Sequence, residues 1–171
     1  MQIAKAFDMR VVGWSPNLTP ERAEAAGVAF ALSKEELLRT SDVVSLHMVL
    51  SASTRHIIKR EDLDLLKPTA FLINTSRGPL VDEDALIEAL QEGKFAGAGL
   101  DVYDVEPLPL EHPIRKLKNV ILTPHSAYIT DDNYKVCAVC FGSKIKPLIF
   151  SWTGVLWGDG GQHCGISRRK A

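Results

Sequence analysis

Short apolar runs recur along this chain, separated by stretches whose apolar residues return every three to four positions, and that alternation limits the fold more than any other feature. MRVVGW, VVSLH, AFLINTS, GAGLDVY and NVILT read as strands. Thr19 to Ala26, Ser33 to Thr40, Glu61 to Leu66 and Asp82 to Glu92 read as helices. Apolar strands interleaved with amphipathic helices predict an α/β chain of doubly wound type, with a parallel sheet covered on both faces.

Local signals support the helices. Ser33 precedes Glu36 at the spacing of a capping box, and Asp82 opens a run that sets Leu86, Ile87 and Leu90 on one face before Gly93 supplies a stop. In such sheets ligands bind outside the carboxyl ends of the strands. His47, Thr75 to Arg77, Asp101 and His125 all fall at or just after strand ends, so they are expected to converge on one edge.

The whole chain sets further bounds. Its 171 residues fit about one domain, and 46% apolar residues suffice for an ordinary core. A net charge of −1 offers no basic field for nucleic acid. No apolar run reaches the ~18 residues of a membrane span, and no charged-then-apolar leader opens the chain. The expectation is a cytoplasmic protein without a membrane or nucleic-acid partner. Asn17-Leu18-Thr19 and Asn74-Thr75-Ser76 match the glycosylation pattern but carry no weight without a secretory leader.

Three stretches carry chemistry: NTSRGPLVDEDAL, GLDVYDVEP and LTPHSAY, which contain Arg77, Glu106 and His125. Arginine binds a carboxylate through two parallel hydrogen bonds, histidine exchanges a proton near neutral pH, and a carboxylate partner favours the imidazolium. Together these are tools for reducing a 2-keto acid.

With SLHMVLSASTRHII, LLKPTAFLINTSRGPLVDEDALIEAL, GAGLDVYDVEPLP and NVILTPHSA in this order, the chain up to about Lys135 resembles the nicotinamide-binding domain of the D-isomer-specific 2-hydroxyacid dehydrogenases. The resemblance implies Arg77 as binder of the substrate carboxylate and carbonyl, His125 as proton donor, and Glu106 as the group that orients and charges His125. It further implies hydride transfer from a reduced nicotinamide to the keto carbon while His125 protonates the carbonyl oxygen. Met48, Thr75, Ser76 and Arg77 then border the cofactor, Asp101 accepts from its carboxamide, and Ala127 lies near the nicotinamide beyond His125. Val49 stands where the family commonly has a proline.

The acid that usually follows the second strand of such a domain, and bonds the adenosine ribose, is absent after MRVVGW. Ser15 and Asn17 are the neutral candidates there, and the sequence shows no nearby cation for a 2′-phosphate, since Arg10 begins the strand and Arg22 belongs to the next helix. NAD is favoured, with NADP left open.

Two departures remain. Met1 to Phe7 reads as the tail of the helix that normally follows the first strand, so the first strand and its Gly-rich loop are read as missing, as is the separate substrate domain. Gly97-Ala98-Gly99 lacks the third glycine and reads as close packing around a buried strand. Residues 1–136 are thus expected to form a partial dinucleotide-binding domain.

Residues 137–171 hold all three cysteines and six of the twelve glycines, with Asp159 alone against five bases. This tail reads as a changed reading frame, an unrelated terminal sequence or a disordered segment. Cys137, Cys140, His163 and Cys164 suggest a zinc set only weakly, so no metal is expected.

The resulting expectation is an oxidoreductase acting on D-2-hydroxy acids, reducing glyoxylate, hydroxypyruvate or a related 2-keto acid with NAD(P), here as a fragment inactive by itself. A homodimer is allowed, because relatives often dimerise through this domain. The competing readings are a non-catalytic dinucleotide-binding or protein-interaction module, and a degraded gene product.

Overall fold

Three helices begin where a side chain is available to satisfy the first free backbone N–H groups. Thr19 accepts from the Arg22 amide before α2 (Pro20–Ala25), Ser33 from Glu36 before α3 (Lys34–Thr40), and Asp82 from Ala85 before α5 (Glu83–Gln91). A short α1 (Gln2–Ala6) opens the chain, and α4 (Arg60–Leu63) starts where the Asp62 carboxylate accepts from the Lys59 amide. The computed structural model describes residues 2–130 and residue 133. The expectations for residues 137–171, including the zinc set, lie outside the described residues.

The strands are all parallel and fall into two sheets. β1 (Val12–Gly13) pairs with β2 (Ala29–Phe30); β3 (Val43–Leu46), β4 (Phe71–Asn74), β5 (Gly97–Leu100) and β6 (Val120–Leu122) form the larger sheet in that spatial order. Between β1 and β3 lies a cavity of about 180 Å³, walled by Val12, Leu18, Val44 and Leu46. In a doubly wound sheet one more strand stands at this place.

Period-two alternation sorts the larger sheet into two faces. Val44, Leu46, Leu72, Ala98 and Leu100 point into one core with Leu38 of α3, Leu63 of α4, and Leu86 and Leu90 of α5. Val43, Phe71 and Ile121 point the other way and stay 45%, 48% and 74% exposed. The expectation of helices on both faces is thus met on one face only, among the described residues.

Gly97 has a clear physical reason: a Cβ there would lie 2.4 Å from the Asn119 carbonyl oxygen. Close backbone approach at β5, as read from the sequence, is what the fold requires.

Candidate active site

The carboxyl ends of β4, β5 and β6 each feed a turn, and a buried polar side chain sets two of the three. Asn74, the last residue of β4, is 1% exposed. Its Oδ1 accepts from the Ser76 N–H (3.1 Å) and its Nδ2 donates to the Arg77 carbonyl (2.8 Å). The Ser76 hydroxyl donates to the Met48 carbonyl at 2.7 Å, which ties this turn to the loop after β3. Arg77 is extended and its guanidinium donates to the Ser76 carbonyl at 2.6 Å. Thr75 is exposed beside it. Burial of Asn74 also rules out any modification there in the folded chain.

Asp101 follows β5 directly and is 2% exposed. Its Oδ1 accepts from the Thr123 hydroxyl (2.5 Å) and the Ser126 N–H (2.8 Å), and its Oδ2 from the Ala127 N–H (2.9 Å). Burial pushes this carboxyl up, but the Thr123 hydroxyl, the two amides and the charge of His125 outweigh it and hold Asp101 below the ordinary aspartate value. The turn that Asp101 gathers carries His125 in the left-handed region, at φ 52°. Each carboxylate oxygen accepts up to two bonds, so Oδ2 keeps one lone pair.

His125 and Glu106, 19 residues apart in sequence, meet at 2.6 Å between Nδ1 and Oε2. The other carboxylate oxygen of Glu106 accepts from the Tyr103 N–H at 3.0 Å. Both side chains are about one-third exposed, and the His125 ring stands edge-on to Tyr128 at 6.0 Å. With Nδ1 committed to the carboxylate, Nε2 is the nitrogen left to exchange a proton with a ligand. Tyr103 anchors the same region, since its hydroxyl lies 2.9 Å from the Thr123 carbonyl oxygen and 3.1 Å from that of Leu100.

The Arg77 and Glu106 turns are in direct contact. A Cβ on Gly78 would lie 2.1 Å from the Tyr103 carbonyl carbon and 2.6 Å from the Asp104 nitrogen, so the two backbones approach as closely as glycine permits. Arg77 is thereby fixed against the segment that carries Glu106.

Ser15 and Met48 line the cleft between β1 and β3, together with Trp14 and His47. Asn17 is exposed at the turn after β1, and its carbonyl accepts from the Arg22 guanidinium at 3.0 Å. Arg22 belongs to α2, as expected, and its guanidinium folds back onto Asn17. Where the family commonly has a proline, the Val49 carbonyl accepts from the Thr54 hydroxyl at 2.6 Å, so a side-chain bond holds that loop. Among the described residues no group of histidines, cysteines and acids is arranged to hold a metal, and no helix is long and apolar enough to cross a membrane.

The residues present fit a dinucleotide in part. The cleft mouth at Ser15, His47 and Met48 and the turns at Thr75–Arg77 and Asp101–Ala127 lie at carboxyl strand ends, where such cofactors bind. A glycine-rich turn for the pyrophosphate is not among the described residues.

The larger parallel sheet thus carries a histidine–carboxylate pair at its carboxyl edge, with an arginine on the neighbouring turn. The chain belongs to the D-isomer specific 2-hydroxyacid dehydrogenase family, matching its NAD binding domain over residues 1–127. It is 42% identical over 146 residues to the D-3-phosphoglycerate dehydrogenase of Methanocaldococcus jannaschii, covering 85% of this chain and 28% of that protein. Against the glyoxylate reductase of Aeropyrum pernix the identity is 46% over 129 residues, covering 75% of this chain and 38% of the relative. The NAD-complexed D-isomer specific 2-hydroxyacid dehydrogenase of Lactobacillus delbrueckii ssp. bulgaricus superposes with a TM-score of 0.67 at 31% identity, over 85% of this chain and 50% of that one. The chain thus spans well under half the length of these two curated relatives.

Proposed function

We propose that this chain is part of the cofactor domain of a D-2-hydroxyacid dehydrogenase and carries its catalytic residues, in an enzyme that reduces a small 2-keto acid such as glyoxylate with NAD as cofactor. The observation that carries the reading is the 2.6 Å contact of His125 with Glu106, next to the turn that presents Arg77. Residues 1–136 act as a partial dinucleotide-binding domain. By itself the chain binds dinucleotide weakly and turns over little, and a homodimer and a cytoplasmic location belong to the same reading.

Ser15 and Asn17 bond the adenosine ribose, and Met48, Thr75, Ser76, Arg77, Asp101, His125 and Ala127 border the remainder of the cofactor. Bound reduced nicotinamide supplies the hydride. Arg77 pairs with the substrate carboxylate and stabilises charge developing on the carbonyl oxygen. His125 delivers a proton from Nε2 to that oxygen, while Glu106 on Nδ1 fixes the ring and favours its charged form. Asp101 holds the His125 turn and has one lone pair left for a carboxamide N–H.

Two experiments test this. NAD titrated into the 15N-labelled chain should shift the amides of Ser15, Met48, Thr75, Ser76 and Ala127; shifts scattered elsewhere, or none, would sink the cofactor site. NADP is titrated beside it, because Arg22 puts a guanidinium at Asn17. Catalysis is read by grafting residues 1–127 into the Aeropyrum pernix enzyme in place of the matching segment. Glyoxylate-dependent NADH oxidation that disappears with His125→Ala is expected, and a folded, NAD-binding but inactive chimera overturns the catalytic reading.

A further inference from the structure

A second glutamate–histidine pair stands beside the first, and the two are joined through neighbouring backbone amides. The Tyr103 N–H ends on Glu106 Oε1 (3.0 Å), and Glu106 Oε2 meets His125. One residue further on, the Asp104 N–H ends on Glu83 Oε1 (3.4 Å), and Glu83 Oε2 meets His112 Nε2 at 3.3 Å. The segment from Tyr103 to Glu106 is therefore gripped from two sides.

The second pair sits on firm supports. Glu83 is the first residue of α5, just after its Asp82 cap, and that helix buries Ala85, Leu86, Ile87, Ala89 and Leu90. His112 leads into the 3₁₀ turn Pro113–Lys116, whose Ile114 is fully buried. The Glu83 and His112 side chains are only 17% and 18% exposed.

A carboxylate this sheltered is costly unless its hydrogen bonds are made. His112 Nδ1 is buried without a partner among the described residues, and Nε2 is the ring nitrogen that faces Glu83.

We propose that Glu83 and His112 are positioning residues, which fix the Tyr103–Glu106 turn and so set how Glu106 meets His125. The proposal rests on the reading of Glu106 and His125 as the acid–base pair. Other charged groups face the same structure: Asp104 sees His56, Arg55, Asp84 and Asp82, and Glu83 sees Asp104 as well as His112. His125 itself faces Glu106 and Asp101. Of these, only Glu83 bonds the backbone of the turn from outside it, among the described residues.

The test uses the full 15N-labelled chain, reading amide exchange at Tyr103, Asp104 and Leu72 and the Nδ1–H resonance of His125. Glu83→Gln should speed exchange about tenfold at both Asp104 and Tyr103 and abolish the His125 resonance, while Leu72 in β4 is unchanged. His112→Ala should do the same, and His112→Gln, which keeps an N–H donor, should restore the parent behaviour.

Faster exchange confined to Asp104, with Tyr103 and His125 as in the parent, overturns the proposal. If Glu83→Gln also loses Leu72 protection, the pair of His112 variants decides the matter on the same two signals. Turnover does not enter these readings, so a chimera that fails to reduce glyoxylate overturns the proposed function and leaves this inference standing or falling by itself.

Discussion

Gly78 and Tyr103 leave no room between them: a Cβ at 78 would sit 2.1 Å from the Tyr103 carbonyl carbon and 2.2 Å from its oxygen. Backbone cannot yield as a flexible side chain does. Gly78→Ala should therefore cost about 1–3 kcal/mol and pull the Arg77 turn away from the Glu106 turn. Urea unfolding gives the first effect, and amide shifts at Tyr103 and Asp104 the second. An alanine variant of parent stability would show that the two turns do not press together.

Asn74 bridges the turn that presents Arg77, and both of its bonds are part-buried. Asn74→Ala leaves the Ser76 N–H and the Arg77 carbonyl without that partner. The expected loss is about 1–3 kcal/mol in urea unfolding, with weaker dinucleotide binding. Asn74→Asp should recover the Ser76 bond only, and so fall between the two.

Asp101 carries a pH dependence whose sign is fixed by its lowered titration. Deprotonated Asp101 is favoured in the folded chain over the unfolded one. Its stabilisation is present above the ordinary aspartate range and is lost as pH falls below about 4 and passes through the lower folded value. Asp101→Asn should lower stability at neutral pH, because an amide N–H meets the Ala127 or Ser126 N–H. It should also flatten stability against pH in that acid window. Parallel curves for parent and variant would remove Asp101 as the source.

Asp62 is 3% exposed and accepts from the Lys34 ammonium at 2.7 Å and from the Lys59 N–H at 2.8 Å. Lys34 also donates to the Ile57 carbonyl at 2.9 Å, so it clamps α3 to the α4 region. Lys34→Met strands a buried carboxylate and should cost about 3 kcal/mol. Adding Asp62→Leu should restore part of the loss, as judged by far-ultraviolet circular dichroism during thermal unfolding.

The sequence showed most of the larger sheet because VVSLH, AFLINTS and GAGLDVY are apolar runs of strand length with turn residues behind them. It overran their ends for a tertiary reason. Asp101 to Tyr103 continues the β5 pattern, yet Asp101 turns out of the ladder to bind residues 123–127.

β2 escaped notice, since two residues carry no periodicity. The helix read over Glu61–Leu66 begins at Arg60, where the Asp62 carboxylate caps the Lys59 N–H, and ends at Leu63. Their motifs drew attention to Arg77, Glu106 and His125, and the fold sets Glu106 against His125. Asn74, Glu83 and His112 could not be picked out that way, because what distinguishes them is burial and partners from distant segments.

The cleft between β1 and β3 has a consequence for how the molecule comes apart. No strand ladder among the described residues joins the two sheets, so the two-strand sheet is expected to open on warming before the larger one. The larger sheet holds Asp101 and His125 at its own strand ends, whereas Ser15 and Asn17 follow the two-residue β1. As the temperature rises, the chain should release its grip on the adenosine end of a dinucleotide while the histidine and its glutamate remain in register.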